Sequence, residues 1–113
     1  MSKEQALECL RHNVRRFDDE AIQKTFASWK KTVQYRFTDL DNACWHIRVE
    51  NGKAELREGA VEKPELEWEL TTDDLLRLAS GELGGMAAFA SGAVKVKGSV
   101  SDMMKWRKIN NVK

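Results

Sequence analysis

The chain has 113 residues, room for one core but not two. Nineteen Lys and Arg against eighteen Asp and Glu leave a formal net charge of +1. That balance supplies neither the basic face nucleic acid calls for nor a polybasic stretch for anionic lipid. No apolar run approaches the roughly 20 residues that span a bilayer, and Met1-Ser2-Lys3-Glu4-Gln5 is followed by no apolar signal region, so the expected compartment is the cytoplasm.

In chain order, helices are expected over 1–31. Leu7, Leu10, Val14 and Phe17 recur at i, i+3, i+7 and i+10, with Arg11, Arg15 and Arg16 on the other side, which is the period of an amphipathic helix. Asp18 or Asp19 can cap a second helix whose apolar face runs Ile22, Phe26 and Trp29. Sheet and crossover helices follow over 32–98. The period falls to 2 where Val33, Tyr35 and Phe37 alternate with Gln34 and Arg36, and again at Trp45, Ile47 and Val49. Asn51-Gly52 predicts a hairpin, because a type I′ turn needs positive φ at both central residues. Ala54 and Leu56 mark the return strand, Pro64 ends the meander, and Leu66, Trp68 and Leu70 alternate with Glu67 and Glu69 in a fourth strand.

Thr71 or Thr72, then Asp73 and Asp74, opens a helix with acids where the dipole favours them. Leu75, Leu76, Leu78 and Ala79 form its apolar side, and Gly81 is a stop. Gly84-Gly85 loosens the chain before Met86-Ala87-Ala88-Phe89-Ala90. Val94 and Val96 then alternate with Lys95 and Lys97 in a short strand, and Val100, Met103, Met104 and Trp106 suggest a last helix over 99–109. This order is α+β in a single domain over 1–113, with one face of the sheet buried against helices and the other wet.

Reactive chemistry is sparse. His12 and His46 have no acid and nucleophile at a telling spacing, so no catalytic residue is expected. A metal would need Cys9, His12, Cys44 and His46 to converge from two distant elements, and none is expected. The two cysteines read as separate buried thiols. Asp18-Asp19-Glu20 and Asp73-Asp74 are explained by capping. The glycines match neither a P-loop nor a dinucleotide fingerprint, so no cofactor is expected. What the chain does supply is apolar bulk: four Trp, four Phe and four Met. Met86, Met103 and Met104 fall near Phe89 and Trp106, and periodicity alone reads them as core filling.

The segment Leu75-Leu76-Arg77-Leu78-Ala79-Ser80-Gly81-Glu82-Leu83, followed by Ala88-Phe89-Ala90-Ser91-Gly92-Ala93-Val94-Lys95-Val96-Lys97-Gly98, resembles the sterol carrier protein lipid-binding domain family. Trp29 to Asp39 looks like the family's first strand, and Asn51-Gly52 falls at its second hairpin. Gly84-Gly85-Met86-Ala87 departs from the family's usual Asn/Asp-Pro and charged residue, and Ser99 stands where Asp is frequent. The resemblance implies one curved five-stranded sheet, mixed and mostly antiparallel, with helices on one face and an apolar tunnel between.

It further implies a non-catalytic carrier of fatty acid, fatty acyl-CoA, sterol or phospholipid, moving or presenting its ligand to membranes or enzymes. Trp45 and Trp68 from the sheet, with Leu75 and Leu78 from the crossover helix, would line the tunnel. Met86 and Phe89 would join them from the following segment, and Met103, Met104 and Trp106 from the last helix. Lys95, Lys97 and Lys105 read as solvated surface, with a CoA phosphate or a carboxylate as the alternative. An apolar rim at the tunnel mouth could pair two copies as a homodimer. The competing reading is an interaction module with a filled core, docking an exposed Met/Trp face on a lipid- or quinone-metabolising enzyme.

Overall fold

A computed structural model describes residues 2–80, 92 and 94–110. Helix α1 (Ser2–Arg15) buries Ala6, Leu7, Leu10 and Asn13, and a 3-10 turn, Arg16–Asp18, adds Phe17. Asp19 caps α2 (Glu20–Thr25), its Oδ1 accepting the Ala21 N–H at 2.9 Å. The helical spacing of Ile22, Phe26 and Trp29 extends the expected helix too far. The chain leaves α2 at Phe26 (φ −107°), turns through a Trp29 N–H to Phe26 O bond of 3.0 Å, and enters β1 (Lys30–Phe37). The turn sets the Phe26 and Trp29 rings edge to face at 5.0 Å, so tertiary packing of two aromatics overrides the local helical period.

Strands β2 (Ala43–Glu50), β3 (Lys53–Glu58), β4 (Leu66–Leu70) and β5 (Lys95–Gly98) complete a sheet of order β3-β2-β1-β4-β5. β1 and β4 run parallel; the other three pairs are antiparallel. Asn51 and Gly52 turn the hairpin at φ 54° and 75°. Gly52 is also pressed on α2, where a Cβ would stand 2.9 Å from the Gln23 carbonyl oxygen. Helix α3 (Thr72–Ser80) starts with the Thr71 hydroxyl accepting the Asp74 N–H at 3.1 Å, and α4 (Val100–Asn110) with Ser99 accepting the Asp102 N–H at 3.0 Å.

The helices meet one face of the sheet in one core. The other face is not left wet, as alternation alone suggests. Residues 59–65 connect β3 to β4 across it: His46 Nδ1 lies 2.8 Å from Gly59 O, and the Val61 N–H donates to Gln34 Oε1 at 2.7 Å. Gln34 and Glu67 are buried there. Glu67 Oε2 accepts from Gln34 Nε2 at 2.6 Å and from Arg36 at 3.1 and 3.3 Å. Two polar groups lose water without penalty because each satisfies the other.

Candidate functional site

The interior between sheet and helices is built from large rings. Inward positions of β1, β2 and β4 bring Tyr35, Phe37, Trp45 and Trp68 to one face, where Tyr35 stacks with Phe37 and with Trp68 at 6.5 Å. From the helical layer Trp106 lies stacked on Trp29 at 5.8 Å and edge-on to Phe26 at 6.0 Å. Its indole N–H donates to the Tyr35 hydroxyl at 2.8 Å, joining the two layers. Trp68 is 2% exposed, yet its N–H meets no acceptor among the described residues.

Of the side chains expected at the tunnel, Trp45, Trp68, Leu75, Leu78, Met103 and Trp106 share this buried cluster. Met104 does not: it is 44% exposed, on the outer side of α4, with Arg107 donating to its Sδ at 3.7 Å. Neighbouring residues on a helix point about 100° apart, so Met103 and Met104 cannot both face the sheet. Val100 is exposed for the same reason, while Ile109, three beyond Trp106, is fully buried. Met86, Phe89 and Gly84-Gly85 lie outside the described residues. Tyr35, Phe26 and Trp29 share the same buried cluster and were not among the side chains expected at the tunnel; the alternation of β1 already carried the signal for Tyr35.

Charge borders this interior at one end. Lys31 pairs with Asp102 at 2.7 Å beside Trp29, and Lys105 Nζ stands 5.2 Å over the Phe26 ring and 5.9 Å over Trp29. Lys95 and Lys97 are paired in register with Glu69 and Glu67, on the sheet's other face. Of the three lysines weighed for a phosphate or carboxylate, Lys105 is therefore the one beside the aromatic cluster.

A groove of about 500 Å³ runs between α1 and α3, lined in part by Gln5, Cys9, His12, Asn13, Leu76 and Ala79. Burial, reinforced by Glu8, pushes the Cys9 thiol above its ordinary value. Burial also raises Cys44, with Arg36 opposing and Glu67 adding to the effect. Both thiols stay protonated at neutral pH and are poor nucleophiles. They are free, Cys9 on a helix and Cys44 on the outward side of β2. Among the described residues no group of three or more His, Cys, Asp or Glu is placed to hold a metal, and no helix is long and apolar enough to cross a membrane.

A five-stranded mixed sheet in this order, with helices on one face, is the sterol carrier protein fold. The chain belongs to the SCP-2 sterol transfer family, whose sequence profile matches residues 10–111. Hydroxysteroid dehydrogenase-like protein 2 of Mus musculus is 25% identical over 92 residues, which are 80% of this chain and 18% of that protein. A sec-alkylsulfatase from Pseudomonas sp. is 21% identical at a TM-score of 0.69, over 79% of this chain and 14% of that one. The chain thus spans less than a fifth of the length of either. The ubiquinone synthesis protein UbiJ-SCP2 is 10% identical at a TM-score of 0.73, over 94% of this chain and 91% of that one. At such identities the solved structures share the fold.

Proposed function

We propose that the chain binds a fatty acid, fatty acyl-CoA, sterol or phospholipid between its sheet and helices, and carries or presents it to a membrane or an enzyme in the cytoplasm. The observation behind this is the family match over residues 10–111, laid on a sheet whose inward face carries buried aliphatic and aromatic side chains at alternate positions from Val33 to Phe37 and from Leu66 to Leu70. Burying an acyl chain of about 14 methylenes yields roughly 11 kcal/mol at about 0.8 kcal/mol each. Association costs on the order of 4–15 kcal/mol, so useful affinity follows from apolar contact with few polar groups. Protonated thiols and a histidine tied to a backbone carbonyl favour a carrier over a catalyst.

The test is organic-solvent extraction of the purified protein followed by mass spectrometry, then acyl-CoA titration followed by tryptophan emission. The expected result is bound lipid and an emission change. No bound lipid and no response to several chain types would remove the carrier reading.

A second reading has its own support. The fold of a ubiquinone synthesis protein covers nearly the whole chain, and Met104 and Val100 are exposed apolar side chains on α4. Both suit a module that docks on a quinone- or lipid-metabolising enzyme. A homodimer through the same helix is the other occupant of that face, and sedimentation at two concentrations separates monomer from dimer.

A further inference from the structure

The fold solves the same problem for Trp106 and leaves it open for Trp68. Each indole is buried, and each N–H needs an acceptor. Trp106 finds Tyr35 at 2.8 Å; Trp68 finds none among the described residues. Buried indole N–H groups usually have a partner, and a buried donor without one in a native protein calls for an explanation such as a ligand or a water.

The surroundings say which acceptor fits. Trp68 faces inward from β4, ring against Tyr35 at 6.5 Å on one side and in register with Val96 on the other. The same face presents Val33, Phe37, Leu66 and Leu70, all buried. Arg36, Glu67, Glu69, Lys95 and Lys97 alternate with these and belong to the opposite face. Lys31, at the start of β1, is committed to Asp102.

We propose that Trp68 Nε1–H is the polar anchor of the lipid site and donates to a neutral oxygen, a hydroxyl or a ketone, quinone or ester carbonyl, on an otherwise apolar ligand. The inference rests on the lipid-binding reading and sharpens it. Among the described residues the cations beside the inward rings stand over Trp45 (Lys3, 5.8 Å) and over Phe26 and Trp29 (Lys105, 5.2 and 5.9 Å), not over Trp68. A carboxylate held at Trp68 would therefore shed its water without a cation against it, which costs far more than the desolvation of a neutral oxygen. A neutral acceptor loses little and relieves the unmet donor.

The test uses the full chain stripped of copurified lipid and three probes of equal length: hexadecanol, palmitic acid and hexadecane. In a nitrogen-labelled sample the four tryptophans give four indole signals, and Trp68→Phe identifies its own by its loss. Hexadecanol should move the Trp68 indole proton downfield; hexadecane should bind without that shift. Trp68→Phe should weaken hexadecanol about fivefold, the worth of one neutral hydrogen bond, and hexadecane less than about twofold. An indole signal unmoved at saturating hexadecanol, or equal losses for hexadecanol and hexadecane, overturns the anchor. A larger loss for palmitic acid than for hexadecanol overturns its neutral-acceptor chemistry. If none of the three binds the unsubstituted protein, the lipid-binding reading falls and the anchor with it.

Discussion

Trp106 and Glu67 lie on opposite sides of one sheet, each the hub of its side. Around Trp106 the contacts are rings, with Trp29 stacked, Phe26 edge-on and a single hydrogen bond to Tyr35. Around Glu67 they are polar: Gln34 and Arg36 directly, and Lys97 at 3.9 Å. Apolar contact is non-directional and depends on volume, whereas the Glu67 group depends on partners in fixed places. The outer network ties β1 to β4 across their parallel pairing, and the inner side is left to meet shape with shape. A wall that must accept a ligand is better built from non-directional apolar contact than from polar partners in fixed places.

The comparison breaks hardest at Trp106. Trp106→Ala should cost about 3–5 kcal/mol by urea unfolding, because a fully buried ring is removed and Tyr35 loses its donor. A loss under about 1 kcal/mol would mean the helical layer is not held through this ring. On the outer side, Glu67→Ala should cost about 2 kcal/mol by leaving buried Gln34 and half-buried Arg36 short of an acceptor. Glu67→Gln keeps an acceptor for Gln34 and should cost about half as much. Equal costs for the two would show that charge, not hydrogen bonding, holds this face.

The smallest effect is at Asp39, which joins the sheet layer to α3. Burial pushes its carboxyl up, but the Thr72 hydroxyl at 2.6 Å and N–H at 3.0 Å outweigh that, so its value lies below the ordinary one. A carboxyl lowered in the folded state stabilises above its unfolded value near 3.9 and loses that contribution as pH falls through the folded value. The melting temperature of Asp39→Asn should therefore lie below that of the unsubstituted protein at pH 7, and the gap should close below about pH 4. A gap independent of pH would assign the effect to geometry alone.

The strands were legible because their signals are local. Alternation at Val33, Tyr35 and Phe37 and at Leu66, Trp68 and Leu70 gives both the strands and their buried side. The Asn51-Gly52 turn needs only two residues to specify it. Asp19, Thr71 and Ser99 announce helix starts through side chains that reach their own backbone. The end of α2 was not legible, since Phe26 and Trp29 keep helical spacing while their rings are claimed by Trp106, some eighty residues on. Nor was the burial of Gln34 and Glu67, which depends on where 59–65 crosses the sheet. Met104 was a misreading of available information: adjacent methionines on one helix cannot share a face. Trp68 could be named as an inward ring from sequence, but its lack of an acceptor is a property of the assembled interior.

The central claim is that lipid lies between sheet and helices. Isotope-filtered nuclear Overhauser spectra of stripped protein with hexadecanol test it most directly. Contacts from the ligand's methylenes to the Trp68 and Trp45 rings and the Met103 methyl, with none to Arg36 or His46, are the predicted result. Contacts confined to the outer face, or to exposed Met104 and Val100, would contradict it.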